Sequence, residues 1–192
     1  MLLYSRYRNN AYNGLGRKTI PHLSNGFEGC WLMNEKERIL VLGAILRRID
    51  NFSMATLDGR LILQKTVYLL QACGLYLGYH FSWYLYGPYS TELASDGFTL
   101  TQLYNSVPKG TFKKKDSEER FATFMARIGS SKKDARWLEL LASIHFLTEL
   151  YPQKERTEII AIVQKKQHYF PLAECKKAWN YLKEWRLINP ED

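Results

Sequence analysis

Cysteine is scarce in this 192-residue chain and gives no sign of a disulfide or zinc framework. The three cysteines, Cys30, Cys73 and Cys175, are odd in number, far apart and without the paired Cys/His spacing of a structural zinc site. Cys73 and Cys175 lie in apolar stretches with helical spacing, where a free cysteine usually behaves as a small core residue. The sequence therefore predicts neither disulfides nor a structural metal.

Long hydrophobic runs are also missing. The longest apolar runs, such as Val67–Leu70, are far shorter than the roughly 20 residues that a membrane-spanning helix needs. The first residues include Tyr4, Arg6 and Arg8 and show no apolar core of a signal peptide. The composition, 46% hydrophobic and 24% charged, is that of an ordinary globular protein. We therefore expect a cytoplasmic protein with no membrane association.

Familiar catalytic and cofactor motifs do not occur in the sequence. There is no nucleophile elbow, no Walker loop and no dinucleotide-binding glycine fingerprint. The four histidines are isolated, and none has a His or Cys partner at the spacing of metal ligands. We therefore expect a protein that is not an enzyme and that holds no metal and no cofactor.

The formal net charge of +8 keeps a nucleic-acid-binding alternative open. The main basic segment, residues 109–133, includes Lys113–Lys115 and Lys132–Lys133. Two helices followed by an aromatic strand would fit a winged-helix DNA-binding module whose lysines contact phosphates. However, no basic side chains line one helix at a spacing suited to a groove. Lysines of an ordinary solvated surface are therefore the preferred interpretation.

Residues 1–32 differ in character from the rest of the chain. They are rich in Asn, Gly, Tyr and Arg, contain Pro21, and show no sustained helical or strand period. Such a segment buries little apolar surface to offset the entropy cost of ordering, so it is predicted to be a loosely ordered extension. The sequence from Met33 onward resembles the start of an ordinary domain. A native translation start at Met33 would explain both this change and the different character of residues 1–32. Residues 33–192 are predicted to form a single helical domain.

The remainder is dominated by helical periodicity, which predicts a mainly α fold. From Asn34, a plausible N-cap, apolar residues recur at three- and four-residue spacing as far as Ile49. A second helix, Arg60–Cys73, is apolar around most of its circumference except for Gln64, Lys65 and Gln71, and should be the central helix. A short helix near 121–128 between exposed loops and three C-terminal helices, about 134–150, 155–167 and 172–186, complete the pattern.

The aromatic segment 79–90 predicts the minor β element, a short strand or hairpin. Phe81, Trp83 and Leu85 alternate with polar or amphipathic residues, which is the period of a strand with one buried face. We expect this strand to end at Gly87-Pro88, and Ser90 to cap the next helix. On this interpretation Phe81, Trp83 and Leu85 point into the core. Tyr84 and Tyr86, together with Tyr89, form a partner-binding surface. Tyrosines are frequent hot spots of protein interfaces.

Two sequence blocks carry a resemblance to a known family. The segment Leu63-Gln64-Lys65-Thr66-Val67-Tyr68-Leu69-Leu70 resembles the "LQKLLYF" helix of the Panacea (SocA-like) antitoxin domain and its YwgA-like relatives. The later segment Trp83–Leu93 is similar to that family's "W-x-Y-G-P-x-S-x-x-L" signature, and the order and gap of the blocks also match. The strong part of the resemblance covers residues 59–93.

The resemblance implies a small, mainly α-helical domain and a non-enzymatic role. Many members of the family act as antitoxins that hold a cognate toxin by direct protein contact. The family's signature positions fall here on Gln64, Lys65, Tyr68, Trp83, Gly87, Pro88 and Ser90. As polar groups on an apolar helix, Gln64 and Lys65 should reach hydrogen-bond partners, and the Gly87-Pro88 corner is a candidate. The resulting hypothesis is an antitoxin-like protein-binding module, with a winged-helix DNA-binding regulator as the alternative.

Overall fold

The computed structural model describes residues 34–112 and 114–188. In these ranges it contains seven α-helices and one antiparallel two-stranded hairpin, so the predicted mainly α fold with a minor β element is confirmed. The predicted extension, residues 1–32, lies outside the described residues. In chain order the elements are α1 Glu35–Ile49, α2 Leu57–Ala72, β1 Ser82–Tyr84, β2 Gly87–Tyr89, α3 Thr91–Leu103, α4 Lys115–Ile128, α5 Ala135–Leu150, α6 Arg156–Lys166 and α7 Leu172–Glu184.

Side-chain caps fix several helix starts. Asn34 closes a capping box with Glu37 at the start of α1, as its position predicts. The hydroxyl of Thr56 accepts from the Gly59 N–H at 3.1 Å, so α2 begins three residues before the predicted Arg60. Asp134 accepts from the Trp137 N–H at 2.9 Å and starts α5.

Helix α2 runs through the centre of the described structure. Every residue from 62 to 71 is buried, including the polar Gln64, Lys65 and Gln71, which confirms the prediction of a central buried helix. α2 packs mainly on α5, and α5 packs in turn on α7, where Cys175 and Trp179 are fully buried. Buried apolar side chains from all seven of these helices form one continuous cluster.

The β element is a hairpin rather than a strand that ends at Gly87-Pro88. β1 pairs with β2 in the register Ser82↔Tyr89, Trp83↔Pro88 and Tyr84↔Gly87. The turn is Leu85-Tyr86, so Gly87 and Pro88 begin the second strand, and the prediction that they end the first was wrong. The expectation that Leu85 points inward was also wrong, because at the tip of the hairpin it is 69% exposed.

The basic segment is more helical than its composition indicates. α4 begins at Lys115 and replaces the predicted short helix near 121–128, with Phe121, Phe124 and Ile128 on its buried face. A 3-10 turn, Gly129–Lys133, leads from α4 to α5. No helix of the described ranges is long and apolar enough to cross a membrane.

Candidate functional site

The polar side chains of α2 bind the backbone of the hairpin. The Gln64 side chain donates to the Ser90 carbonyl and accepts from the Ser90 N–H, both at 2.9 Å. Lys65 Nζ donates to the Pro88 carbonyl at 2.6 Å. These groups are buried, with Gln64 3% and Ser90 1% exposed, so water does not compete for the bonds. The two sequence blocks therefore form one structural unit. Side chains of α2 bond to backbone groups at the edge of β2 that does not face β1.

A third polar residue of α2 fixes the approach to the hairpin. The Gln71 side chain accepts from the backbone N–H groups of Leu77 and Tyr79 at 2.9 and 3.1 Å and donates to the Tyr79 carbonyl at 2.9 Å. Gln64, Lys65 and Gln71 therefore all bond to backbone groups of residues 77–90. This segment lies outside the helices, so its backbone groups cannot make helical hydrogen bonds.

Proline and glycine fit their positions in β2 for different reasons. Pro88 lies opposite Trp83, and the alternation of an antiparallel ladder directs its carbonyl away from β1 and toward Lys65. At such a position the missing N–H of proline costs no ladder bond. Gly87 has φ +82°, and a Cβ there would lie 2.3 Å from the Ser143 hydroxyl. Gly87 therefore allows β2 to lie directly on α5.

Lys65 is an ionisable group inside the core. It is 1% exposed, and burial lowers the pKa of its amine to about 7, while the carboxylate of Glu139 opposes that shift. Burial also raises the pKa of Glu139, against hydrogen bonds from Tyr169 and Gln167. Because the pKa of Lys65 lies close to neutral pH, the amine that bonds to the Pro88 carbonyl gains or loses its charge within a narrow pH range around 7.

The Tyr68 signature position lies behind the hairpin and is buried. Its hydroxyl is 2.8 Å from Nδ1 of His145, and its ring packs edge-on against Phe81 with centroids 5.2 Å apart. Burial lowers the pKa of His145 to about 4, so the imidazole is neutral at physiological pH. His145 is a core residue that supports the Tyr68 ring.

Trp83 does not point fully into the core. It is half-buried, with its ring 6.0 Å from that of Phe146 and Lys166 Nζ 5.2 Å from its ring centroid. The expectation of a core tryptophan is therefore only partly met, because the hairpin lies on the surface of α5 and part of the indole stays exposed to solvent.

The tip of the hairpin exposes large side chains to solvent. Tyr84, Leu85 and Tyr86 are 47%, 69% and 37% exposed. Tyr89 is half-buried, and its ring lies 5.4 Å from that of Tyr84. Tyr169, after α6, is 39% exposed, and its hydroxyl donates to Glu139. We call these residues, Tyr84, Leu85, Tyr86, Tyr89 and Tyr169, the hairpin surface.

Sequence reasoning did not identify Tyr169, Glu139 or Gln167. Gln167 donates to Glu139 at 2.6 Å, so these two buried residues and the partly exposed Tyr169 form a polar cluster beside Lys65. Glu139 lies in an ordinary helical pattern about 70 residues from Lys65, and no local spacing indicates that it is buried. Only the packing of α2 on α5 brings them together.

A second buried polar cluster joins α1 to α3. Asp96, 1% exposed, accepts from Arg38 Nε at 2.7 Å and from the Tyr79 hydroxyl at 2.9 Å. Arg38 is partly exposed, whereas Tyr79 is 2% exposed, and burial raises the pKa of its phenol. This cluster orders the segment that enters β1, and its geometry is that of a structural ion pair.

Several basic residues of α4 and of the turn after it have acidic or carbonyl partners. Lys115 pairs with Glu119 at 3.6 Å, and Arg120 pairs with Asp116 at 2.8 Å. Further on, the amine of Lys132 donates to a carbonyl at the end of α1 at 2.8 Å. These contacts neutralise part of the basic segment that the DNA-binding alternative relies on. Lys113 lies outside the described residues.

Within the described ranges, no group of three or more His, Cys, Asp or Glu side chains is arranged to hold a metal ion. Comparison of the chain with known protein families, curated proteins and solved structures found no match. The resemblance to the Panacea antitoxin domain therefore stays a prediction from the sequence motifs.

Proposed function

We propose that this protein is a non-catalytic, antitoxin-like binding module that neutralises or regulates a partner protein by direct contact through the hairpin surface. The observation that carries the proposal is the exposure of Leu85 and its neighbouring tyrosines on a hairpin whose backbone is bound by buried side chains of α2. An aliphatic side chain that is 69% exposed at a tight turn contributes little to folding. Clustered exposed apolar and aromatic side chains are typical of protein interaction sites.

The fixed backbone supports this function. The bonds from Gln64 and Lys65 hold β2 against α2, and the absence of a Cβ at Gly87 allows β2 to lie directly on α5. Binding by a surface that is already ordered loses less conformational entropy than binding by a flexible loop. This arrangement suits a protein that works by covering a partner's surface in stoichiometric amounts.

The DNA-binding alternative has weaker support. In a winged-helix module the helix before the wing enters the major groove and must be exposed. The helix before this hairpin is α2, and all its residues from 62 to 71 are buried. The ion pairs of α4 also reduce the positive charge available to phosphates.

The test begins with the tagged full-length chain in its native host, cross-linking, and identification of the partner by mass spectrometry. The pair is then reconstituted from purified proteins, and its stoichiometry and dissociation constant are measured. Tyr84→Ala should weaken binding by about 1–3 kcal/mol, because the ring belongs to the exposed tip. Phe98→Ala, at a 56% exposed aromatic residue on α3, is the matched control and should change binding little.

Two outcomes would contradict the proposal. One is equal weakening by Tyr84→Ala and Phe98→Ala, since the hairpin would then have no special part. The other is a loss of unfolding free energy in Tyr84→Ala as large as the loss of binding, since the tyrosine would then be a packing residue.

A further inference from the structure

The two edges of the hairpin have different surroundings. At the outer edge of β2, the Pro88 carbonyl accepts from Lys65, and the Gln64 side chain bonds to both backbone groups of Ser90. β2 also packs on α2 and α5, whereas β1 packs mainly on β2. The first and last residues of β1 are exposed. The outer edge of β2 is therefore covered by α2, and the outer edge of β1 lies at the surface.

The edge of β1 carries backbone groups that have no hydrogen-bond partner. In an antiparallel pair, the backbone groups of successive residues point alternately toward and away from the neighbouring strand. Trp83 lies opposite Pro88, whose carbonyl points away from β1, so the N–H and carbonyl of Trp83 point away from β2. Within the described ranges, no hydrogen bond reaches the backbone of Trp83. A donor and an acceptor of β1 are therefore available to another strand.

β1 also lacks most of the features that usually prevent pairing at a sheet edge. Exposed edges of natural sheets commonly carry charged side chains, proline or a bulge. Residues 81–86 contain no charged residue and no proline, and β1 pairs with β2 without a bulge. The proline of the hairpin lies in β2, whose edge α2 covers. The remaining restriction is the length of β1, three residues, which limits pairing to a short segment.

We propose that the partner protein adds an extended segment as a strand at the edge of β1, beside the exposed tip. This inference rests on the proposed function and adds the mode of binding to it. In strand addition, main-chain hydrogen bonds provide affinity and side-chain contacts provide specificity. The added segment bonds to the N–H and carbonyl of Trp83 and places an apolar side chain beside Tyr84, which is 47% exposed. Leu85, at the end of β1, adds a further apolar contact.

A second copy of this chain fits the same edge less well. Antiparallel pairing of two β1 strands about a twofold axis would join only three residues of each chain. The two hairpin tips would then point in opposite directions, so the tip residues of the two copies would not meet. A stable protein interface has roughly 20–30 residues a side. A different protein can reach that size by covering the hairpin surface together with the edge.

The first experiment uses the full-length, isotope-labelled chain and two synthetic peptides. One peptide alternates Thr and Val, with lysines at both ends for solubility. The other has the same sequence with every residue N-methylated, so it keeps the side chains but has no backbone donor. Binding is followed by NMR titration, and amide hydrogen exchange is measured at Trp83 and Tyr84. Tyr84 is the internal reference, because the same alternation directs its N–H to Gly87 in β2.

The Trp83 amide should exchange fast in the free chain and slowly with the Thr/Val peptide bound, and the Tyr84 amide should be protected in both states. Complete N-methylation should weaken peptide binding about tenfold or more, since the main-chain bonds are lost. Equal binding of the two peptides, no binding of either, or a protected Trp83 amide in the free chain would overturn the inference.

The second experiment compares Trp83→Pro with Trp83→Ala in binding to the reconstituted partner. Both variants lose the indole, and only proline also loses the outward N–H. Proline is tolerated at an edge position whose N–H faces solvent, and protection of the Tyr84 amide verifies that the hairpin is intact. Trp83→Pro should bind about tenfold more weakly than Trp83→Ala. If proline disrupts the hairpin, exchange of the Trp83 amide in the wild-type complex decides, because strand addition requires its protection.

Tyr84→Ala separates this inference from the proposed function. If it weakens binding of the reconstituted partner while the two Trp83 variants bind equally, the hairpin surface acts through side chains alone and only strand addition is wrong. If neither it nor the Trp83 variants weaken binding, the proposed function fails as well. Self-association of the chain that persists in Trp83→Ala and disappears in Trp83→Pro would assign the edge to a second copy and also overturn the inference.

Discussion

Replacing Gly87 with alanine tests whether the hairpin is built around the close approach of β2 to α5. Gly87 has φ +82°, where an alanine costs about 1–2 kcal/mol. Its Cβ would also lie 2.3 Å from the Ser143 hydroxyl, and overpacking of this kind costs about 1–3 kcal/mol. Gly87→Ala should therefore reduce the free energy of unfolding by about 2–5 kcal/mol, measured by urea denaturation.

Gly78 provides a matched control for the backbone effect. It has φ +85°, but a Cβ there would meet nothing within 4 Å, so Gly78→Ala should cost only the backbone strain, about 1–2 kcal/mol. A second control removes the contact itself. The Ser143 hydroxyl is buried without a hydrogen-bond partner in the described ranges, so Ser143→Ala alone should be close to neutral.

In the double variant Gly87→Ala/Ser143→Ala, the nearest side-chain atom becomes the Cβ of residue 143, at 3.5 Å, an ordinary contact. The double variant should therefore recover about 1 kcal/mol or more relative to Gly87→Ala alone. The reasoning is refuted if Gly87→Ala is no more destabilising than Gly78→Ala, or if removal of the serine hydroxyl recovers nothing.

Three further predictions concern buried or half-buried groups. Because the folded-state pKa of Lys65 is about 7, below its ordinary value of 10.5, the folded state binds fewer protons than the unfolded state between these values. The free energy of unfolding should consequently rise with pH from about 7 to 9, and Lys65→Met should abolish that rise in urea titrations at fixed pH. Asp96→Asn should cost about 2–4 kcal/mol in the same assay, because it leaves the partly exposed Arg38 guanidinium and the buried Tyr79 hydroxyl facing a neutral amide. Glu118→Gln, in a more exposed pair, should cost less than about 1 kcal/mol, and equal losses would contradict the argument. Trp83→Ala should cost about 1–3 kcal/mol, since the indole is only partly buried, and a larger loss would show that it belongs to the core.

The sequence predicts those parts of the site whose interactions are indicated by residues close together in the chain. Gln64 and Lys65 interrupt an otherwise apolar helix, and a buried polar group must find a partner, so their contact with backbone elsewhere could be expected. Asn34, Ser90 and Asp134 cap helices because their side chains bond to backbone groups of the next turn. Such interactions span three or four residues and are visible in the sequence itself.

The turn of the hairpin could not be found in this way. Leu85-Tyr86 has none of the usual turn residues, and the alternation of apolar and polar residues continues through it. Gly87-Pro88 looked like the end of a strand because these residues commonly interrupt strands. Their actual role depends on Lys65 and Ser143, which lie 22 and 56 residues away from Gly87. Only the tertiary structure shows that a glycine and a proline can open a strand here.

The same contacts relate the stability of the fold to the proposed binding function. The hairpin has only three residues in each strand, and an isolated two-stranded hairpin of this size is marginally stable in water. Its order therefore depends on the buried bonds from Gln64 and Lys65, so their loss should affect binding even though neither side chain is exposed. Tyr84, unlike Gln64 and Lys65, is exposed, so its replacement should weaken binding with little effect on folding. Measuring both quantities for both kinds of variant would distinguish residues that hold the hairpin from residues that contact the partner.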